Sequence, residues 1–264
     1  MPQDCQPFAD SHAVMDAAQY DKPPITEAIV ELRSNSKIVE KSLSKVVKAL
    51  SKEYHQHKTI EARSFDVNIN AGGSASTNTR VSNQERFSSN DMTQQLLIRD
   101  TSIVVSQLAP YVGWVSFKKR IESGWAAWDR AVGFFPVGQI GMRFINRIDI
   151  PGEAGGFPHG QYVSAYPNFP PDIGRALGHA INAQFYLDDI EANLILNIAR
   201  TESPLPEHAA MLLDIDITRV FSSPPSKSVI FEILDQFRLK KNGIFESCIT
   251  EQARALFRRN NNGL

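Results

Sequence analysis

One stretch decides the fold: residues 110–151, which read PYVGWVSFKKRIESGWAAWDRAVGFFPVGQIGMRFINRIDIP. Its first half contains all three tryptophans, and its apolar residues recur at steps of three and four, as along one face of a helix. These residues are Trp114, Phe117, Ile121, Trp125, Trp128 and Val132. After Gly133 and Pro136, apolar and polar residues alternate, which is the period of a half-buried strand. The stretch predicts a helix buried along its aromatic stripe, followed by a long strand.

The chain on both sides of this stretch predicts further strands and helices. Short alternating segments separated by turn-forming residues favour antiparallel pairing. The predicted strands are 25–34, 65–69, 79–87, 94–98, 101–108, 178–187, 192–201 and 209–221, with the polar run 70–78 as a hairpin loop. The other predicted helices are 37–54, 228–240 and one that begins after Thr250, a residue suited to an N-cap.

Together these elements predict an α+β fold. We expect two antiparallel β-meanders that form one large sheet or a split sheet, with three main helices packed on one side. Residues 1–20 are short of large apolar side chains and are predicted to form a flexible N-terminal arm. Residues 21–264 then form a single domain, either undivided or with subdomains 21–151 and 172–264 joined by the Gly/Pro-rich segment 152–171.

The composition is that of an ordinary globular protein. With 264 residues, 42% hydrophobic content and a net charge of -1, the chain can bury a sizeable core and lacks the basic excess typical of nucleic-acid-binding proteins. Its two cysteines have no metal-binding or disulfide spacing, which favours a reducing compartment. No run of eighteen apolar residues occurs. We therefore expect a cytoplasmic protein with no membrane association.

Four segments resemble the signature blocks of a sporadically distributed family of uncharacterised bacterial proteins. They are Pro23–Ala28 (PPITEA), Leu108–Trp114 (LAPYVGW), Arg143–Pro151 (RFINRIDIP) and Leu213–Asp216 (LDID). The resemblance covers nearly the whole chain after the predicted arm. It implies no reaction and no catalytic residue, but a patchy distribution implies an association with mobile or defence genes.

Polar residues on two predicted strands are the first candidates for a site. Asn146 is in phase with the apolar residues of its strand, so we expect a buried structural amide. Arg143 and Arg147 share the opposite face and could bind an anion, or pair with carboxylates of neighbouring strands. Asp214 and Asp216 share one face of another strand and could serve a metal or acid–base chemistry, or pair with those arginines. If the two strands are neighbours, these four charges form a structural ion-pair network.

A second candidate is a stripe of lysines on the helix predicted at 37–54. Its members recur at helical spacing and are Lys37, Lys41, Lys45, Lys48 and Lys52. Such a stripe is usually a solvated helix face, and the alternative is contact with a phosphate backbone.

The sequence contains no common catalytic or nucleotide-binding motif, and it assigns no catalytic residue, metal or cofactor. Whether the protein is an enzyme is left open, as is its oligomeric state. The preferred hypothesis is a non-enzymatic regulator, such as an antitoxin, that binds a protein partner. The first alternative is a small-molecule or anion-binding protein, or a hydrolase, with a cleft between sheet and helices around Arg143, Arg147, Asp214 and Asp216. The second is nucleic-acid binding through the lysine stripe.

Overall fold

The computed structural model describes residues 20–69, 75–133, 136–152, 158–165, 167, 170, 172 and 179–258, with the backbone alone for 62–69 and 75–82. Within these residues the chain is an α+β fold with nine strands and five helices. Residues 1–19 of the predicted arm, residues 70–74 of the predicted hairpin loop and much of the segment 152–171 lie outside the described residues.

All nine strands of the described residues belong to one antiparallel sheet. They are β1 (Ile25–Ser34), β2 (Gln56–Ile69), β3 (Ala75–Ser88), β4 (Gln94–Ile98), β5 (Ser102–Leu108), β6 (Val137–Pro151), β7 (Ala180–Leu187), β8 (Ala192–Glu202) and β9 (His208–Val220). Their order is β2-β3-β4-β5-β1-β6-β9-β8-β7. Strand β6 pairs with β9 from Gln139 opposite Val220 to Pro151 opposite His208, so the chain segments before and after 152–171 share one sheet.

The predicted strands are present, and the largest difference is at the start of β2. This strand begins at Gln56 and not near Phe65, and it pairs with β3 along its whole length. The reason lies in its place at one edge of the sheet. An edge strand can be polar on both faces and therefore gives a weak apolar alternation.

The described residues form five helices: α1 (Glu40–Leu50), α2 (Trp114–Val132), α3 (His159–Tyr162), α4 (Lys227–Cys248) and α5 (Glu251–Phe257). Helix α1 is shorter than predicted, and Val39, which the pattern assigns to its apolar stripe, is exposed at the N-cap position. Helix α4 continues past the predicted end at Lys240. As predicted, the side chain of Thr250 caps α5 by accepting a hydrogen bond from the Ala253 amide. No helix among them combines the length and apolarity needed to cross a membrane.

The core lies between the helices and one face of the sheet. The middle of the aromatic stripe of α2 is buried as predicted, with Trp125 only 4% exposed, whereas Trp114 and Val132 at its ends are partly buried. On β6 the alternating residues Ile140, Met142, Phe144, Ile148 and Ile150 are all buried. Helix α2 contacts β5 and packs on α1, and α4 contacts β6 and β9, so the helices cover this face of the sheet.

The chain is fixed to the core from Tyr20 onward, although the pattern assigns this residue to the arm. Its ring packs edge-on against Phe245 and Phe257, with centroids 6.4 and 5.3 Å away. Its hydroxyl donates a hydrogen bond to Glu246, and the amide of Lys22 donates one to the carbonyl of Phe257. The segment that starts at residue 20 therefore runs against α4 and α5.

The continuous course of α4 through Gly243 predicts that Gly243→Ala stabilises the protein. A Cβ at this position meets no atom within 4 Å, and alanine is favoured over glycine inside a helix by about 0.5 to 1 kcal/mol. Gly133 is a matched control, because a Cβ there is also unobstructed but its φ is +80°. Chemical denaturation should show a gain for Gly243→Ala and a loss of about 1 to 3 kcal/mol for Gly133→Ala. A loss for Gly243→Ala would contradict a helix that is unbroken at this point.

Candidate ligand pocket around Lys241

The structure contains the ion pair that the sequence predicts between β6 and β9. Arg143 donates two hydrogen bonds to Asp214, from Nε to Oδ1 and from Nη2 to Oδ2, both at 2.8 Å. In the strand register Arg143 lies opposite Asp216, so the pair with Asp214 is diagonal. Asn197 of β8 donates a third hydrogen bond to the same carboxylate. Because a carboxylate holds both donor positions of this guanidinium edge, the ion-pair interpretation of Arg143 is favoured over the anion site.

The other two predicted charges take different positions. Arg147 pairs with Asp149 of its own strand, at 3.1 Å, and not with β9. Asp216 is partly buried, and burial raises the pKa of its carboxyl, an effect that nearby Arg143 opposes. Arg147 therefore lies outside the β6–β9 network, in which Arg143 is the cation.

Arg143 and Asp216 line a trough of about 570 Å³ on the sheet face opposite the helices. Seven neighbouring strands contribute to its lining, and seven flat strands would span about 29 Å, so the sheet curls around the trough. Its charges are largely compensated within the trough. Glu31 lies 3.0 Å from Arg33 and 3.1 Å from Arg99, as Arg143 lies against Asp214.

The ion pairs of this face predict that replacing Arg143 or Arg147 by alanine lowers the free energy of unfolding by different amounts. Arg143→Ala should lower the free energy of unfolding by about 2 to 3 kcal/mol, between the values for exposed and buried pairs, because it leaves the largely buried carboxylate of Asp214 without its cation. Arg147→Ala should cost less than about 1 kcal/mol, since its partner Asp149 also accepts a hydrogen bond from Ser203. Urea denaturation measures both costs, and equal costs would refute this account of the network.

A second pocket, of about 410 Å³, lies on the helical side of the sheet. Four parts of the chain meet there: the segment before β1, the segment that leads into α2, the middle of β6 and the second half of α4. Its lining residues are Tyr20, Asp21, Pro23, Pro24, Ile25, Tyr111, Val112, Gly113, Trp114, Phe144, Asn146, Arg238, Lys241, Asn242, Phe245 and Glu246. We call it the Lys241 pocket. Residues from three of the four segments that resemble signature blocks line it.

Lys241 is the most unusual group of this pocket. Its side chain is buried, with 6% of the residue exposed, and its Nζ lies 4.2 Å from the centroid of the Phe144 ring. Within the described residues it has no hydrogen-bond acceptor and no ion pair. Burial, followed by repulsion from Arg238, lowers the pKa of this amine from its ordinary 10.5 to about 7. A buried amine without a counter-ion costs stability, which makes it a candidate for function.

The carboxylate that acts on Lys241 is already engaged elsewhere. Glu246 raises the pKa of Lys241, but its Oε1 accepts a hydrogen bond from the Tyr20 hydroxyl at 2.7 Å and its Oε2 accepts one from Arg254 at 2.8 Å. Arg238 lies three residues before Lys241, hence on the same side of α4, and has no carboxylate partner among the described residues. Two cations therefore face the pocket with incomplete compensation.

The N-terminus of α2 adds positive potential to the same pocket. Gly113 is its N-cap and, like Trp114, lines the pocket, with no side-chain cap and no acidic residue in the first turn. The first amides of a helix have no partner within the helix, and they favour anions. One carboxylate is close to this end, since Asp235 of α4 accepts a hydrogen bond from the indole of Trp114 and pairs with Lys118.

Aromatic rings and one amide form the rest of the wall. The ring of Tyr111 packs edge-on against Phe144 at 5.8 Å, and Tyr20 packs against Phe245. Asn146 is buried as predicted, and its amide nitrogen donates to the carbonyl of Leu213 at 3.0 Å, which fits the predicted structural role. Because Asn146 also lines the pocket, it offers a polar group beside the two cations.

The predicted lysine stripe is solvated. All five lysines from Lys37 to Lys52 are exposed, and Lys37 pairs with Asp100 at 2.9 Å. They lie on and beside α1, whose residues do not line the Lys241 pocket. No cluster of three or more histidine, cysteine, aspartate or glutamate residues within the described residues is placed to hold a metal ion.

Sequence reasoning missed Lys241 and Arg238, although a signal was present. The buried residues of α4 recur as Ile230, Ile233, Leu234, Phe237, Lys241, Phe245 and Cys248. Lys241 thus occupies a position of the apolar stripe, where a charged residue is unusual. Because the sequence pattern predicts that the helix ends at Lys240, it does not count Lys241 as part of the stripe.

The comparisons with known proteins add no assignment, because no family model and no curated protein matches the chain. The resemblance of the four segments to a bacterial family therefore stays a prediction. The candidate site rests on the geometry of the pocket.

The buried amine predicts that stability rises with pH. Between pH 7 and 10 the folded protein binds fewer protons than the unfolded chain, because the folded pKa of Lys241 is about 7 and the unfolded pKa is near 10.5. The free energy of unfolding should increase by up to about 1.4 kcal/mol per pH unit in this range. Lys241→Met should remove that slope and be more stable than the parent at pH 7 by on the order of 2 to 4 kcal/mol.

Urea denaturation at a series of pH values measures this effect. Lys240→Met is the matched control, because Lys240 is the neighbouring residue but pairs at the surface with Asp189 at 2.7 Å. The control should keep the slope of the parent. An unchanged slope in Lys241→Met would show that this amine does not titrate near neutral pH.

Proposed function

We propose that the protein binds a small organic anion in the Lys241 pocket. The observation that carries the proposal is the buried amine of Lys241, which lines a pocket and has no counter-ion among the described residues. The pocket has a volume of about 410 Å³, which falls in the range of small-molecule sites. Such sites combine apolar walls with a few convergent polar groups. The sequence suggests a cleft around Arg143, Arg147, Asp214 and Asp216, and none of these residues lines the Lys241 pocket, which also lies between sheet and helices.

The ligand class follows from the lining. Arg238 and the N-terminus of α2 supply positive potential, which suits a carboxylate or phosphate. The rings of Tyr111, Phe144 and Phe245 suit a flat apolar body next to the anionic group. Lys241 adds a charge that depends on pH, because near pH 7 it is present in both protonation states.

The sheet trough is a weaker candidate for the same function. Its arginines Arg33, Arg99 and Arg143 are each within 3.1 Å of a carboxylate, so an added anion would have to displace Glu31 or Asp214. Arg86 has no carboxylate partner among the described residues but is partly solvated. The Lys241 pocket needs no such displacement.

The other two functions suggested by the sequence stay predictions. For a protein-binding regulator, the large apolar side chains exposed within the described residues are spread over many elements, among them Val39, Val115, Phe185, Val220 and Leu239. For nucleic-acid binding, the exposed lysine stripe is one observation in favour, and the net charge of -1 is one against.

The proposed function predicts anion-dependent stabilisation. Benzoate at about 100 times its dissociation constant should raise the melting temperature by roughly 5 to 10 °C, while its neutral analogue benzamide should not. The affinity for benzoate should fall between pH 7 and 9 as Lys241 loses its proton. In Lys241→Met the affinity should no longer depend on pH in this range, and in Arg238→Gln it should be lower at every pH.

Thermal denaturation and isothermal titration measure these effects, with Lys240→Met as the control that keeps the behaviour of the parent. A panel of aliphatic carboxylates and phosphate esters extends the test to other organic anions. The proposal is wrong if no anion of the panel raises the melting temperature, or if the shift and its pH dependence are the same in both pocket variants as in the parent.

A further inference from the structure

A ligand can reach the side chain of Lys241 from the pocket. The ring of Phe144 lies 4.2 Å from Nζ, and the pocket lies beside it. No acceptor among the described residues forms a hydrogen bond with Nζ. Only 6% of the residue is exposed, and a ligand in the pocket would touch its side chain.

A lysine is a nucleophile only when it is neutral, and buried lysines beside a second cation are suited to this role. At pH 7 about half of the Lys241 amines are neutral, since the pKa is about 7. An exposed lysine with a pKa near 10.4 has a neutral fraction of roughly 1 in 2,500 at the same pH. Lys241 should therefore exceed exposed lysines by about three orders of magnitude in the amount of neutral amine.

We propose that Lys241 forms a Schiff base with a small aldehyde or ketone that carries an anionic group. The inference rests on the proposed function, because Arg238 and the N-terminus of α2 would hold the carboxylate or phosphate of the same ligand. Arg238 and Lys241 are one helical turn apart on α4, a separation that one small molecule can span. The pocket thereby selects carbonyl compounds with a negative charge.

The condensation is balanced by the release of one water. The Nζ lone pair attacks the carbonyl carbon and forms the C–N bond, and the carbonyl oxygen takes up the proton that the nitrogen loses. The resulting hydroxyl then leaves as water with the second proton of the nitrogen, and the nitrogen lone pair forms the C=N double bond. No oxidant or reductant is needed.

Several charged or titratable groups around Lys241 bear on the pH dependence of this reaction. From α4 they are Arg238, which favours the neutral amine, and Glu246, which opposes it. Tyr20, Asp21 and Tyr111 also line the pocket, and Asp235 lies at the N-terminus of α2. Because the attacking amine must be neutral, imine formation should increase as pH rises through 7, opposite to the pH dependence of anion binding.

The test uses two ligands that differ in one group. 4-Carboxybenzaldehyde has a carboxylate and an aldehyde at opposite ends of one ring, and 4-(hydroxymethyl)benzoate has an alcohol in place of the aldehyde. The parent, Lys241→Met and Lys240→Met are incubated with each compound at pH 7 in the presence of cyanoborohydride, which reduces an imine to a stable amine. Peptide mass spectrometry then locates the adduct, and thermal denaturation without the reductant reports binding.

The expected result is one adduct per chain, on Lys241, from the aldehyde only. Labelling should fall at least tenfold in Lys241→Met and stay unchanged in Lys240→Met. If both ligands raise the melting temperature but adducts are absent or spread over exposed lysines, the Schiff base is refuted and anion binding stands. If neither ligand binds and Lys241 is not labelled, both proposals fail for aromatic carboxylates.

Discussion

The packing of the helices on the sheet follows from the apolar face of β6, which has to be shielded from water. This strand joins the two ends of the sheet through its pairs with β1 and β9, and five of its alternating apolar residues are buried. Helix α4 contacts β6, helix α2 contacts β5, and the two helices are linked where Asp235 bonds to Trp114 and Lys118. The same cover places the amine of Lys241 above Phe144, in a position that would otherwise suit an apolar side chain.

Charged side chains are compensated differently on the two faces of the sheet. On the open face, Arg143 finds Asp214 across the strands, and Glu31 lies between Arg33 and Arg99. On the helical face, Lys241 and Arg238 share a pocket, and the carboxylate that acts on Lys241, Glu246, already bonds to Tyr20 and Arg254. Ion pairs between neighbouring strands are a common structural device, whereas a buried amine with incomplete compensation costs stability. This contrast is the reason that we locate the function in the Lys241 pocket.

Much of the fold could be predicted because the apolar periods of its elements are strong. The stripe of α2 and the alternation of β6 each cover many residues, so helix and strand are distinguished by period alone. The charges of β6 and β9 could also be paired in advance, because both strands had a clear polar face. The start of edge strand β2 was harder to predict, because pairing with β3, and not burial of one face, determines where the strand begins.

The site could not be predicted, for two physical reasons. Asn242 and Gly243 after two lysines form a typical helix C-terminus, yet packing of Phe245 and Cys248 against the core carries α4 onward. In addition, the pocket is a tertiary feature that joins Tyr20, Gly113, Phe144 and Lys241, which are far apart along the chain. A lysine in phase with an apolar stripe was the single local signal.

The titration of Lys241 tests most directly the proposal that its buried amine binds an anion. Nuclear magnetic resonance of protein labelled with carbon-13 at lysine Cε, with the Lys241 signal assigned through Lys241→Met, follows the protonation of this amine. The account predicts a pKa near 7 for the free protein and a higher pKa once benzoate saturates the pocket, because a bound anion favours the charged amine. A Lys241 signal that titrates near 10.5, with and without benzoate, would contradict it.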